Sequence, residues 1–231
     1  MKTLYLSVLL FASLFVHASE GQPKDRLKVF ELDGNIYLAG GDGKKVQLTT
    51  SGKDDHPILS PNGQQVIFVR QVQALKDNPW GMPEDDAEMM YAAWSPDEIW
   101  TMDIKDKQPK VLCKSTYEGR DAKNHTGWFR GLKFSPDGKT IYYVCQPCCP
   151  TTWAVHAMRS DGTGDRWVSW GEKVDVVGGD KSDKCYGYLV VERKADDGAY
   201  DITVLLAPDG KKIAKISPEE FWKTHEKVGE R

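Results

Sequence analysis

The chain has 231 residues, of which 40% are hydrophobic and 28% charged, and its formal net charge is −3. Acidic and basic residues are interspersed with no basic stripe, which removes nucleic acid as an expected partner. After the first residues no segment approaches the ~20 apolar residues of a spanning helix, and the remaining ~213 residues suffice for one domain with a sizeable core.

Met1-Lys2 supplies a positive start, Leu4 to Val16 an apolar run, and Val16-His17-Ala18 a small-residue cleavage site. This is the pattern of a secretory signal peptide over residues 1–18, too short for a membrane span, with an uncleaved anchor as the alternative. It places the mature chain, beginning at Ser19, in the periplasm or outside the cell. No cysteine follows the cleavage site to take a lipid.

From residue 28 the chain is a succession of short alternating segments separated by Gly, Pro, Asn and Asp, the signature of an all-β fold. Lys28 to Leu32 and Asn35 to Ala39 flank Asp33-Gly34, a hairpin signal because both residues reach positive φ cheaply, and Lys44 to Thr49 makes a third strand. Residues 58–69 read ILSPNGQQVIFV, residues 133–144 read KFSPDGKTIYYV, and a worn copy, GGDKSDKCYGYLVV, occupies 178–191. In the two clear copies a short strand (Pro57 to Leu59, Leu132 to Phe134) ends in Ser-Pro-Asn/Asp-Gly and a second strand (Val66 to Arg70, Thr140 to Val144) runs back. A hairpin follows each copy: Ile99 to Ile104 with Lys110 to Cys113, and Trp153 to Met158 with Arg166 to Trp170. The third unit supplies Tyr186 to Val191, Asp201 to Leu206 and Lys211 to Ile216.

Repeats of this period mark propellers, solenoids or arrays, and four antiparallel strands per unit make a propeller blade. About fifteen strands predict a small all-β propeller of about four four-stranded blades over residues 19–216, with a β-sandwich as the alternative. Ser217-Pro218-Glu219-Glu220 combines a capping serine, proline at the first helical position and glutamate three residues after the cap. It predicts one short helix in 217–231, ending near Gly229, with Phe221, Trp222 and His225 on one face.

The segments ILSPNGQQVIFV, LKFSPDGKTIYYV, DEIWTMDI and WAVHAMRSDGTG resemble the WD-like repeats of the TolB-type β-propeller family over roughly residues 34–215. The resemblance implies a propeller, export and protein binding; the family's namesake acts in the periplasm of Gram-negative bacteria, within the Tol-Pal system. The chain departs from that namesake in having no separate α/β domain ahead of the repeats and too few repeats for a six-bladed ring. Related propellers of serine peptidases carry a hydrolase domain that is missing here.

Propeller geometry puts the tight turns 60–63, 105–107, 135–138, 160–164 and 207–210 on one face and every long connection on the other. Residues 73–97 hold Trp80, Met82, Met89, Met90, Tyr91 and Trp94 beside acids, and residues 114–130 hold Tyr117, Arg120, His125, Trp128 and Arg130. Aromatic and methionine side chains on long loops suit an adaptable binding surface, although they could equally plug one end of the propeller. The expected binding residues are Trp80, Met82, Tyr91, Trp94, Tyr117, Arg120, His125, Trp128 and Arg130.

Cys113, Cys145, Cys148, Cys149 and Cys185 make an odd number of thiols, read as disulfide candidates with one left over. Cys-x-x-Cys at 145–148 could instead be a redox pair or half a metal site. It ends a strand rather than opening a helix, and His56, His125 and His156 are scattered singly. Asp161 and Asp165 flank a Gly-rich turn and read as solvated rather than calcium-binding. No metal, cofactor or catalytic residue is expected, and no nucleophile elbow or phosphate loop occurs. The sequence therefore predicts an exported non-enzymatic propeller that binds an envelope protein or peptide. The alternatives are a small enzyme or metal-binding protein using the Cys145/Cys148/Cys149 cluster, and an envelope component completing a propeller with another chain.

Overall fold

A computed structural model describes residues 27–41, 43–72, 97–115, 128–146, 153–196, 198 and 201–229. Among these residues fifteen strands form four sheets. The first has three strands, β1 (Lys28–Leu32), β2 (Asn35–Ala39) and β3 (Lys45–Gln47). The second comprises β4 (Asp54–Leu59), β5 (Gln65–Gln71), β6 (Asp97–Asp103) and β7 (Lys110–Lys114). The third comprises β8 (Arg130–Phe134), β9 (Thr140–Cys145), β10 (Ala154–Arg159) and β11 (Arg166–Trp170). The fourth comprises β12 (Lys173–Val176), β13 (Leu189–Lys194), β14 (Asp201–Leu206) and β15 (Lys212–Ile216). Each is an antiparallel meander in chain order, which makes the molecule the small all-β propeller expected from the repeat.

The repeated phrase is one turn built twice, atom for atom. The Ser60 hydroxyl donates to Asn62 Oδ1 (2.7 Å) and accepts from the Gln65 N–H (2.9 Å), and Gly63 N–H donates to Ser60 O (2.8 Å). The Ser135 hydroxyl donates to Asp137 Oδ1 (2.6 Å) and accepts from Thr140 N–H (2.9 Å), and Gly138 N–H donates to Ser135 O (2.9 Å). Gly63 and Gly138 stand at φ 71° and 72°, a conformation that glycine adopts without strain.

Strands buried on both faces read as unbroken apolar runs, and alternate side chains go to different interfaces. Val66 and Phe68 join Ile36, Leu48 and Met102 between the first two sheets. Ile67, Val69 and Ile99 join Leu132, Phe134, Ile141, Tyr143 and Met158 between the second and third. Tyr142, Val144, Val155 and Val168 join Val174, Val176, Leu189, Val191, Val204 and Leu206 between the third and fourth. The far face of the fourth sheet, with Val177, Val190 and Leu205, is covered by Tyr188, Phe221 and Trp222. Among the described residues no apolar cluster joins the first sheet to the fourth. The first strands of successive four-stranded sheets are neighbours, β4 with β8 and β8 with β12, so they form the inner wall.

A second feature repeats at the joints. A Cβ on Gly162, in the β10–β11 turn, would lie 2.9 Å from Leu112 O of β7, and one on Gly210, in the β14–β15 turn, 2.6 Å from Val168 O of β11. Each glycine turn is thus seated on the outer strand of the preceding sheet.

Three local readings differ from the sequence. The third unit opens with β12, upstream of the worn phrase; residues 177–188 are turns, with Asp183 N–H donating to Asp180 O and Tyr186 N–H to Asp183 O, and β13 begins only at Leu189. β4 begins at Asp54 rather than Pro57, and its register shifts between Asp55 and Ile58, where Pro57 has no N–H to give and His56 takes φ 50°. The helix, α1 (Pro218–Phe221), is a single turn in which the Ser217 side chain makes no cap bond. The chain after it runs back to the fourth sheet, with Gly178 N–H donating to Glu226 O and Val228 N–H to Val176 O. No helix among the described residues is long and apolar enough to cross a membrane.

Candidate functional site

The ends of the long connections converge on one rim. Gln71 N–H donates to Lys53 O (2.9 Å), and the Ser115 N–H and hydroxyl both donate to Asp97 O (3.3 and 2.5 Å). This brings together the link before β4, the two ends of 72–97 and the start of 115–128. Gly34, at φ 69°, closes the same corner: a Cβ there would lie 2.3 Å from Gly52 O.

Between these ends lies an open cleft of about 370 Å³, lined by Glu31, Asp54, Asp55, His56, Asp97 and Phe129, with Lys53, Val69 and Gln71 at its margin. Asp54 is neutralised: its side chain is 0% exposed and Arg70 binds both oxygens, Nε to Oδ1 at 2.6 Å and Nη2 to Oδ2 at 2.9 Å. The Arg70 guanidinium lies 4.3 Å from the Trp100 ring centroid. Among the described residues Glu31 Oε1 accepts the Gly34 N–H (2.6 Å), Asp55 Oδ1 accepts the His56 N–H (2.6 Å), and Asp55 Oδ2 stands 3.7 Å from His56 Nε2. Burial, then the nearby Asp55 charge, pushes the Asp97 carboxyl up to about 7. The cleft therefore holds a proton near neutrality and favours a cationic guest that would displace it.

Trp128 and Arg130 flank Phe129 in the chain; Arg130 lies over the Trp153 ring at 3.4 Å, and Trp153 stacks on Trp128 (6.2 Å, 18° between planes). Arg130 Nη2 also donates to Glu172 O (3.2 Å). Trp128 holds φ 51°, an unusual backbone for a bulky residue, and such positions cluster at ligand sites.

Of the residues expected to bind, Trp128 and Arg130 are brought together in this stack. Trp80, Met82, Tyr91, Trp94, Tyr117, Arg120 and His125 lie outside the described residues, as do Cys148 and Cys149. The sequence reading missed Glu31, Asp55, Asp97 and Trp153. A signal existed: Asp54-Asp55 opens an inner strand, and Asp97 follows the longest connection directly.

The disulfide expectation finds no support among the described residues, where Cys113, Cys145 and Cys185 form no disulfide with one another. Cys145 is fully buried in the core between the second and third sheets, whereas Cys185 sits in the 177–188 turn beyond the fourth sheet. The reading of Asp165 is also corrected. Asp161 is a turn residue whose Oδ1 accepts the Thr163 N–H and hydroxyl, but Asp165 accepts the Tyr143 hydroxyl at 2.6 Å and stands 3.4 Å from His156 Nδ1. Burial opposes a charge on His156, yet hydrogen bonds to Asp165 and Cys145 carry it up to about 9. His156 is 0% exposed, so this group locks the third sheet rather than meeting a substrate.

No family model matches the chain, and no curated protein matches it. Solved structures do. The chain is similar to TolB from Acinetobacter baumannii, with TM-score 0.51 and 16% identity over 82% of this chain and 39% of that one. It is also similar to dipeptidyl peptidase 4 of Porphyromonas gingivalis, with TM-score 0.52 and 13% identity over 83% of this chain and 31% of that one. These likenesses establish the β-propeller fold. The chain spans well under half the length of either protein, one of which is by its name a peptidase.

Proposed function

We propose that this chain is an exported β-propeller that binds a protein or peptide of the cell envelope through its long-connection rim. On this reading residues 1–18 are a signal peptide, residues 19–216 the blades and residues 217–231 a terminal cap. The observation that supports it is the acidic cleft of Glu31, Asp55 and Asp97, whose lining residue Phe129 is flanked in the chain by Trp128 and Arg130 of the Trp153 stack. The charged side chains of its described lining are predominantly acidic, a set of groups suited to holding a cation. The cleft suits a lysine or arginine side chain of the partner, and the stack a neighbouring planar or apolar group.

The test is affinity capture from envelope extract with the full chain and with its E31Q/D55N/D97N variant. The expected partner is captured by the native chain, more strongly at pH 8 than at pH 6 because Asp97 ionises between them, and is lost in the variant and in high salt. Equal capture by both chains would remove the cleft from the site.

One observation favours a second reading, in which another chain completes the propeller. Among the described residues the first sheet has one strand fewer than the others, and Leu32 and Val46 in it are 44% and 43% exposed. Sedimentation of the purified chain separates the two: a stable monomer argues against it.

A further inference from the structure

We propose that Asp183, Cys185 and His225 form a three-ligand zinc site that fastens the C-terminal segment to the fourth sheet. The three side chains come from two separate pieces of chain, the 177–188 turn and the stretch after α1, yet one ligand atom from each lies within 4.8 Å of the others. Asp183 Oδ1 accepts the Cys185 N–H (2.8 Å), which fixes the carboxylate and leaves Oδ2 3.6 Å from His225 Nε2.

The imidazole is oriented as a metal ligand is. His225 Nδ1 lies 2.9 Å from Phe221 O and 2.9 Å from the Thr224 hydroxyl, which itself donates to Phe221 O at 3.2 Å. A carbonyl can only accept, so Nδ1 carries the proton and the ring stacks flat on Phe221 (centroids 4.0 Å apart). Nε2 is then the nitrogen turned towards the Asp183 carboxylate, where a metal ion would be ligated by both. A metal-bound histidine is held in this way, its other nitrogen bonded to a carbonyl.

The donor set selects the ion. Thiolate, imidazole and carboxylate together suit Zn²⁺ and disfavour Ca²⁺ and Mg²⁺, which take oxygen ligands. Bonds of about 2.0–2.3 Å in a tetrahedron require donors about 3.4–3.6 Å apart, so the Asp183–His225 pair is already at the right span and the thiol needs only a small movement. The His225 and Asp183 side chains are 20% and 23% exposed, which leaves an entry path and room for a water as the fourth ligand.

The test uses the full chain, stripped by chelator and titrated with Zn²⁺ alone, then with Co²⁺ as a spectroscopic substitute. The expected result is one tightly bound equivalent, a cobalt spectrum with tetrahedral bands and a thiolate charge-transfer band, and a raised Tm. Binding should be lost in C185S and in H225Q and kept in C148S/C149S, which separates this site from the other cysteine cluster. Zinc should also slow alkylation of Cys185 about tenfold in the unaltered chain, a readout that survives if a variant fails to fold. The proposal is overturned if no saturable zinc binding occurs, if it persists in both C185S and H225Q, or if Cys185 alkylates at the same rate with and without zinc.

Discussion

Asp97 and His156 sit in the same molecule with opposite relations to their surroundings, and each leaves its own mark on stability. Asp97 is raised to about 7, first by burial and then by Asp55, so the folded chain holds a proton that the unfolded chain releases near 3.8. Stability should therefore fall as pH rises from about 4 to 7, and D97N should abolish that slope and be more stable at pH 8 by of order 1 kcal/mol after allowance for its partial exposure. His156 is raised to about 9, so its contribution is complete below its unfolded value of 6.5 and is lost as pH rises through 9. D165N should shrink that second slope and leave the part that Cys145 supports. Urea midpoints measured from pH 4 to 10 resolve both windows. Asp54 offers a plainer test: with its side chain fully buried against Arg70, R70M should cost about 3–5 kcal/mol, because it strands a charge in the interior.

At the level of elements the two clear repeat copies were legible because their turn chemistry is written in consecutive residues. The Ser-Pro-Asn/Asp-Gly tetrapeptide carries its own hydrogen bonds, so S60A and S135A should cost similar amounts, about 1–2 kcal/mol each by thermal melts. β12 was missed because Lys-Val-Asp-Val is followed by the twelve residues 177–188, held by Asp180 and Asp183 in turns with no tetrapeptide signature. The cleft was only half legible. Its place on the rim followed from strand order, but its acids look like any solvated turn acids until folding brings Glu31, Asp55 and Asp97 together. The pairing of Asp183 with His225 is likewise a product of the chain's return to the fourth sheet, which no local spacing encodes.

For the whole molecule, the apolar clusters form a line: first sheet to second, second to third, third to fourth, fourth to C-terminal segment. Stability in such an array is a sum of nearest-neighbour terms, and the end needs a cover. Deleting residues 217–231 should uncover Val177, Val190 and Leu205, so the variant should self-associate, and amide exchange should rise first in β12–β15 while β5 and β9 stay protected. Uniform loss of protection would show that the sheets unfold together.

The glycine turns seated on the preceding sheet give these joints a further meaning. Gly162 on Leu112 and Gly210 on Val168 are the same join made twice, so the third sheet carries both the projection that fits the second and the seat that receives the fourth. A tandem copy of residues 128–171 placed after Gly171 would arrive with its own fitting at each side. Genes built on such units can lengthen by duplication without reinventing an interface, and copies so made can drift apart on the opposite rim.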